Sequence, residues 1–381
     1  VVRNTTTGSY VLGTSAGVFL STNYGLNWNN RILREKTWDI KQRPNDPNIL
    51  YAVTGGRIYR STNAGTSFTL LSTGYPNQVA VRIQLAVAPS NANVVYALYV
   101  QSDGSFGGLY KSTDAGKTWK KIQNGFDGQE LGRIILAISP SNTKIVYAIA
   151  ESKNTALYKS TDGGENWIKK SASQNVTWRP FYFSVIKVDP VNENRIYRPS
   201  LGLSFSNDGG ETFIEAGGDG GWVHSDHHAI WINPKNPTFL LLGTDGGVYQ
   251  SLDRGNSWTF LNKIPVSQFY HVAIDNLDPY RVMGGLQDNG SWVAPSNNAG
   301  GIANRDWDAI YYGDGFWVQP DLTDPNVFYA ESQGGDVARI NRKYNETKSV
   351  KPLAVKGDPK LRFNWNTPIC LSPNNPKTLY V

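Results

Sequence analysis

The stretch Ser160-Thr161-Asp162-Gly163-Gly164-Glu165-Asn166-Trp167 decides the fold, because it recurs. The same form, Ser-x-Asp/Asn-x-Gly-x-x-aromatic, returns at residues 21–28, 61–68, 112–119, 206–213 and 251–258. Its third positions are Asn23, Asn63, Asp114, Asp162, Asp208 and Asp253, a mean spacing of 46 residues. A fixed internal period of that length marks a repeat architecture. The residue types suit a tight hairpin turn. Asp or Asn folds its side chain back onto nearby backbone N–H groups, Gly supplies a positive φ, and the closing aromatic anchors the next strand.

Outward from each turn lies a second recurrent element, an alternating strand, a Pro-containing corner and another strand ending near Tyr. Trp38 to Pro44 leads into Ile49-Leu50-Tyr51, and Leu136 to Pro140 leads into Ile145-Val146-Tyr147. The element continues where the Asp turns stop, with Val318 to Pro320 leading into Val327-Phe328-Tyr329 and Cys370 to Pro373 into Leu379-Tyr380. Each unit therefore reads as four short antiparallel strands, A to D, with a corner between A and B and the Asp turn between C and D. Four-stranded units of this length repeated around an axis make an all-β fold, the β-propeller. About eight such units fit the 381 residues. We expect one propeller over residues 1–381, with an N-terminal partial blade at 1–36, blades over 37–361 and a C-terminal partial blade at 362–381. Eight A strands against nine B strands suggest a piece of a larger ring, such as a ten-bladed one.

Composition agrees and excludes several classes. With 38 Gly and 20 Pro against 46 aromatic residues, long helices are disfavoured and strands favoured. One cysteine, Cys370, cannot form a disulfide within the chain. No apolar run approaches the ~18 residues of a membrane helix, so no membrane insertion is expected. The net charge of +6 is spread over scattered lysines, without the basic stripe of a nucleic-acid binder. No signal peptide is visible, but the chain opens on Val1, which reads as a processed or truncated product.

The six turns resemble Asp-box (bacterial neuraminidase) repeats. Further stretches narrow the resemblance: His224-Ser225-Asp226-His227-His228-Ala229 running into Trp231-Ile232-Asn233-Pro234, Gly243 to Gly247, Gly285 to Gly290, and Gly313-Asp314-Gly315-Phe316. Together these resemble bacterial secreted proteins with a sortilin-type propeller, often called glycosyl hydrolases by analogy. The resemblance implies a secreted or cell-surface protein, in a larger extracellular assembly or alone. It speaks for fold more than for activity.

In a propeller the A–B corners and C–D turns share one face, and the D–A and B–C loops share the other. That topology gathers the unusual residues on the loop face. His224, Asp226, His227 and His228 lead into blade six and Asp245 lies in its B–C loop. His271 opens the innermost strand of blade seven, Gln287, Asp288 and Asn289 form its B–C loop, and Asp314 and Trp317 open blade eight. With Trp222, these form the expected ligand-binding set. The His/Asp segment would suit a divalent metal, or it would simply brace a blade junction. The Gly-Asp-Gly motifs at Asp219 and Asp314, and the Thr-Asp-Gly at Asp245, are compatible with Ca²⁺ or with ordinary turn chemistry. No other cofactor is expected.

For catalysis, most glycosidases need two carboxylates about 5–9.5 Å apart. Gly218-Asp219-Gly220-Gly221-Trp222-Val223-His224 resembles the catalytic stretch of family 74 xyloglucanases, which makes Asp219 the candidate catalytic residue. Those enzymes carry a second Asp on another propeller, whereas this chain holds one ring's worth of repeats. No second Asp matches the pattern, and Asp39 is the one conceivable partner. The Phe-Arg-Ile-Pro-like segment of sialidases is missing. Asp-box propellers of photosystem II assembly factors are similar too, and they present arginines near the axis. Arg82 and Arg133 precede innermost strands here. The leading expectation is a binding or scaffold ring for a protein, peptide or glycan; the alternative is a glycoside hydrolase.

Overall fold

The computed structural model describes residues 1–28, 30–76, 79–103, 105–122, 126, 131–132, 134–179, 185–216, 223–261 and 267–381. Among them are eight four-stranded antiparallel sheets, each with its strands in chain order, and one strand pair. The only helical pieces among the described residues are Gln174–Thr177 and the 3₁₀ turn Asn304–Asp306. No helix among the described residues is long and apolar enough to cross a membrane. The fold is a β-propeller. The chain divides into two compact units, Val1–Leu261 with blades 1 to 6 and Asn262–Val381 with blades 7, 8 and the pair Cys370–Leu371 and Leu379–Tyr380.

The N-terminal blade corrects one expectation. Residues 1–36 do not hold a partial blade, because Val2–Arg3 forms an A strand in register with Tyr10–Thr14, Val2 opposite Val11 and Arg3 opposite Tyr10. Two residues are too few to show a periodicity. The strand is held by the buried Asn4, whose Oδ1 accepts the Thr6 and Thr7 N–H groups while its Nδ2 donates to the Pro47 carbonyl. Nine A strands and nine B strands are thus described.

In blade 4 the expected alternation gives way to continuous burial, whereas Arg82–Val87 and His271–Ile274 keep it. Every residue of Ile134–Ile138 and Val146–Ala150 is buried. The cause is sandwiching, since an inner strand has a neighbouring blade on each face, much as a parallel strand has helices on both. Outer strands such as Lys120–Lys121 and Ile214–Glu215 are exposed. The core is accordingly a series of layers between consecutive blades. Val11, Val18 and Leu20 meet Leu50 and Ala52 between blades 1 and 2. Ile135, Tyr147 and Leu157 meet Ile186, Val188 and Ile196 between blades 4 and 5. Met283, Val293 and Ile310 meet Val318, Phe328 and Ala330 between blades 7 and 8.

The six recurrent turns share one bonding scheme. In the turn at Asp114, the Ser112 hydroxyl donates to Asp114 Oδ1 at 2.8 Å and accepts the Gly116 N–H at 2.8 Å. Asp114 also accepts the Thr118 N–H and hydroxyl at 2.9 and 2.6 Å. Burial works against its charge, but these bonds outweigh it and hold the carboxyl down at about 2. Gly116 sits at φ +83°, in the left-handed region where a Cβ is disfavoured. The turns dock on the Pro corners of their own blades. Ala115 N–H donates to Asn93 O, Gly163 to Lys144 O and Arg254 to Thr238 O. Turns and corners therefore do lie together in these blades, which leaves the D–A and B–C loops at the opposite end.

Candidate functional site

Within the first unit, the His-Ser-Asp-His-His stretch is half loop and half strand, because the A strand of blade 6 is His227–Ile232. Asp226 enters it at φ +62°, a conformation Asp tolerates better than most residues. The bend lets Asp226 and His227 donate their N–H groups to Leu201 O and Ser200 O of blade 5. His224 and His227 turn inward and are buried. His227 Nε2 lies 2.8 Å from the His224 carbonyl, so that nitrogen carries the proton. Burial pushes the His227 pKa down to about 4, against the favourable carbonyl contact, and keeps the ring neutral. The loop at Asp245 packs beneath, with Gly246 so close that a Cβ there would fall 2.4 Å from the His224 ring. His228 faces the other way and pairs with Asp245 through Nε2 and Oδ1 at 2.8 Å. Asp226 Oδ2 accepts the Ser225 hydroxyl.

The candidate glycosidase residue Asp219 and the aromatic Trp222 lie outside the described residues, as does Arg133. Asp39 sits on the A strand of blade 2, where Oδ1 lies 3.2 Å from the Lys41 ammonium and Oδ2 accepts the Leu85 N–H. Arg82 opens the A strand of blade 3.

Within the second unit, two groups form around the starts of blades 7 and 8. In one, Asp314 is buried and its Oδ1 accepts the Asp288 N–H at 3.0 Å, while its own N–H donates to Gln333 Oε1 at 2.7 Å. The same loop places Gln287 Oε1 against the Tyr270 hydroxyl, and Asn289 donates its side-chain amide to Gln287 O and accepts the Trp292 indole N–H on its carbonyl. In the other group, the His271 ring stacks on Trp317 with centroids 3.7 Å apart and planes 18° from parallel. Asn366 touches both: its Oδ1 accepts the Trp317 Nε1–H at 2.8 Å and its Nδ2 lies 3.3 Å from His271 Nε2.

Beneath Asn366 is a buried acid. Glu331, with no exposed surface, accepts the Thr367 N–H at 3.2 Å, and its second oxygen has no partner among the described residues. Burial pushes its pKa up to about 7, opposed by the Thr367 and Gly335 amides and by Lys351, with Asp336 adding to the rise. Glu331, Gln333, Trp365 and Asn366 are not in the set read from sequence. One signal was there for Glu331, a charged residue closing the apolar run Val327-Phe328-Tyr329-Ala330. Trp365 is exposed beside Asn366, and nothing in its spacing marks it.

No family model and no curated protein matches the chain. Among solved structures it is similar to the GH74 xyloglucanase from Xanthomonas campestris, at 17% identity and a TM-score of 0.46, over all of this chain and 67% of that one. It is similar to the GH74 enzyme of Niastella koreensis at 18% identity and a TM-score of 0.44, over 97% of this chain and 64% of that one. YCF48 bound to D1 peptide matches 74% of this chain and 83% of its own, at 16% identity and a TM-score of 0.45. The chain thus spans about two thirds of the length of the two hydrolases. Likenesses of this size carry no argument of their own, and the chemistry is read from the chain's own residues.

Proposed function

We propose that this chain is a binding ring, an Asp-box propeller of sortilin type, secreted or displayed at the cell surface, that holds a protein, peptide or glycan on its loop end without cleaving it. The observation that supports this reading is the engagement of three carboxylates among the described residues, Asp219 itself lying outside them. Asp245 is paired with His228, Asp314 is buried against the Asp288 and Gln333 groups, and Asp39 faces Lys41. A glycosidase needs one carboxyl to give a proton and another to face the sugar, both open to substrate. The half-buried His271–Trp317 pair, by contrast, is held ready as a surface for ligand.

The test sets the purified chain against a glycan array, a peptide library and a panel of xyloglucans and β-glucans. Retention of one ligand class with no new reducing ends is the expected result. Cleavage of any polysaccharide that is abolished by Asp219→Asn would replace this reading with the hydrolase alternative.

A further inference from the structure

The contacts of Asn366 carry an inference about how the ligand surface of the second unit is set. The indole Nε1 of Trp317 can only donate, so the Asn366 atom 2.8 Å from it must be the amide oxygen. That choice leaves the amide NH₂ facing His271 Nε2 at 3.3 Å, and an NH₂ group can only donate. His271 Nε2 must then accept, so it carries no proton. In a neutral imidazole the proton is therefore on Nδ1, which has no partner among the described residues. The stacking on Trp317 fixes the plane of the ring, and with it the direction of that N–H. Asn366 is itself held in place. The next residue, Thr367, donates its N–H to the buried Glu331 and its hydroxyl to the Asn364 carbonyl, which closes the 364–367 turn.

We propose that Asn366 is a positioning residue, which places the proton of His271 on Nδ1 and makes that N–H the donor with which the stacked His271–Trp317 surface receives a ligand acceptor oxygen. The inference rests on reading this surface as the binding site. Its ligand class is any molecule that lays an apolar face on the ring pair and offers a carbonyl, carboxylate or hydroxyl oxygen at the ring edge.

The experiment needs no ligand and reads the tautomer alone, so its failure overturns this inference without touching the binding reading, whereas a ligand screen that finds nothing removes the binding reading and the ligand role with it. The chain has four histidines, so histidine-selective ¹⁵N labelling and long-range ¹H–¹⁵N correlation at mildly alkaline pH resolve each ring. His271→Gln identifies the His271 signals by their loss. The expected spectrum gives His271 a pyrrole-type Nδ1 and a pyridine-type Nε2. Asn366→Asp, whose oxygens accept from both rings, should exchange the two types. Trp317→Phe, which frees the amide to turn over, should give a mixture. A pyrrole-type Nε2 in the wild-type chain overturns the proposal, and so does an unchanged His271 pattern in Asn366→Asp with the His224, His227 and His228 signals intact. Should either variant fail to fold, the wild-type spectrum alone decides the tautomer.

Discussion

Blades 2 to 5 and blades 7 and 8 join neighbour to neighbour by opposite means. In the first group a fully buried tyrosine of each B strand reaches into the next blade. Tyr51, Tyr96, Tyr147 and Tyr197 donate their hydroxyls to Ala115 O, Gly163 O, Glu193 O and Arg254 O, at 3.0, 2.8, 2.8 and 3.3 Å. Three of the four acceptors lie in the recurrent turns and the fourth in a corner, so the repeat motif is also the joint. Between blades 7 and 8 an apolar layer is joined by a direct approach of backbone to backbone at three glycines. A Cβ on Gly285 would fall 2.2 Å from Gly315 C and Phe316 N, and one on Gly315 would fall 2.3 Å from Gly290 O. That backbone approach brings the loop at Asp288 within reach of Asp314. The repeating blades are built for sameness. Where the repeat ends, the close backbones leave room for loops that carry unlike polar residues.

The contrast can be broken most sharply at Gly285. Gly285→Ala should destabilise the second unit by about 3 kcal/mol, because the obstructing atoms are backbone and cannot rotate away. Hydrogen exchange should show the loss in blades 7 and 8; unchanged protection there would refute the backbone joint.

A somewhat smaller effect is expected at Glu331. Its folded value of about 7 stands above the ordinary 4.5, so its contribution to stability is full below about pH 4.5 and is lost as pH rises through 7. Glu331→Gln keeps the acceptor for the Thr367 N–H and cannot ionise. Denaturation curves at acid and alkaline pH should show the wild-type second unit losing about 2–3 kcal/mol on that rise and the variant losing much less. Equal pH profiles would remove Glu331 from the account.

Smallest is the effect on a single tyrosine joint. Tyr147→Phe removes one buried hydroxyl and leaves the Glu193 carbonyl without it, a loss of about 1 kcal/mol measurable in the first unit by urea denaturation. A loss as large as that at Gly285 would mean that the tyrosines are the main fastening of the repeat, and no loss would mean that the layers of apolar side chains suffice.

The amino-acid sequence by itself determined the propeller, because a turn with a strict chemical requirement, repeated at the length of one blade, has few other uses. Ser112, Asp114 and Gly116 are each needed by a bond or a backbone angle inside eight residues, so local physics made them legible. It also placed His271, Gln287, Asp288, Asn289, Asp314 and Trp317 at the loop ends of their blades, since strand order alone dictates which loops share an end. The strand Val2–Arg3 stayed hidden because its pairing, rather than its composition, defines it. Only the tertiary structure decided that His227 points inward while His228 pairs with Asp245, two neighbours in one strand with opposite fates. It alone brought Asn366 to Trp317 and His271, 49 and 95 residues away, and set Glu331 beneath the same turn. Hydrogen bonds between residues so far apart leave no period and no spacing behind, because they depend on where two blades and a later turn meet in space.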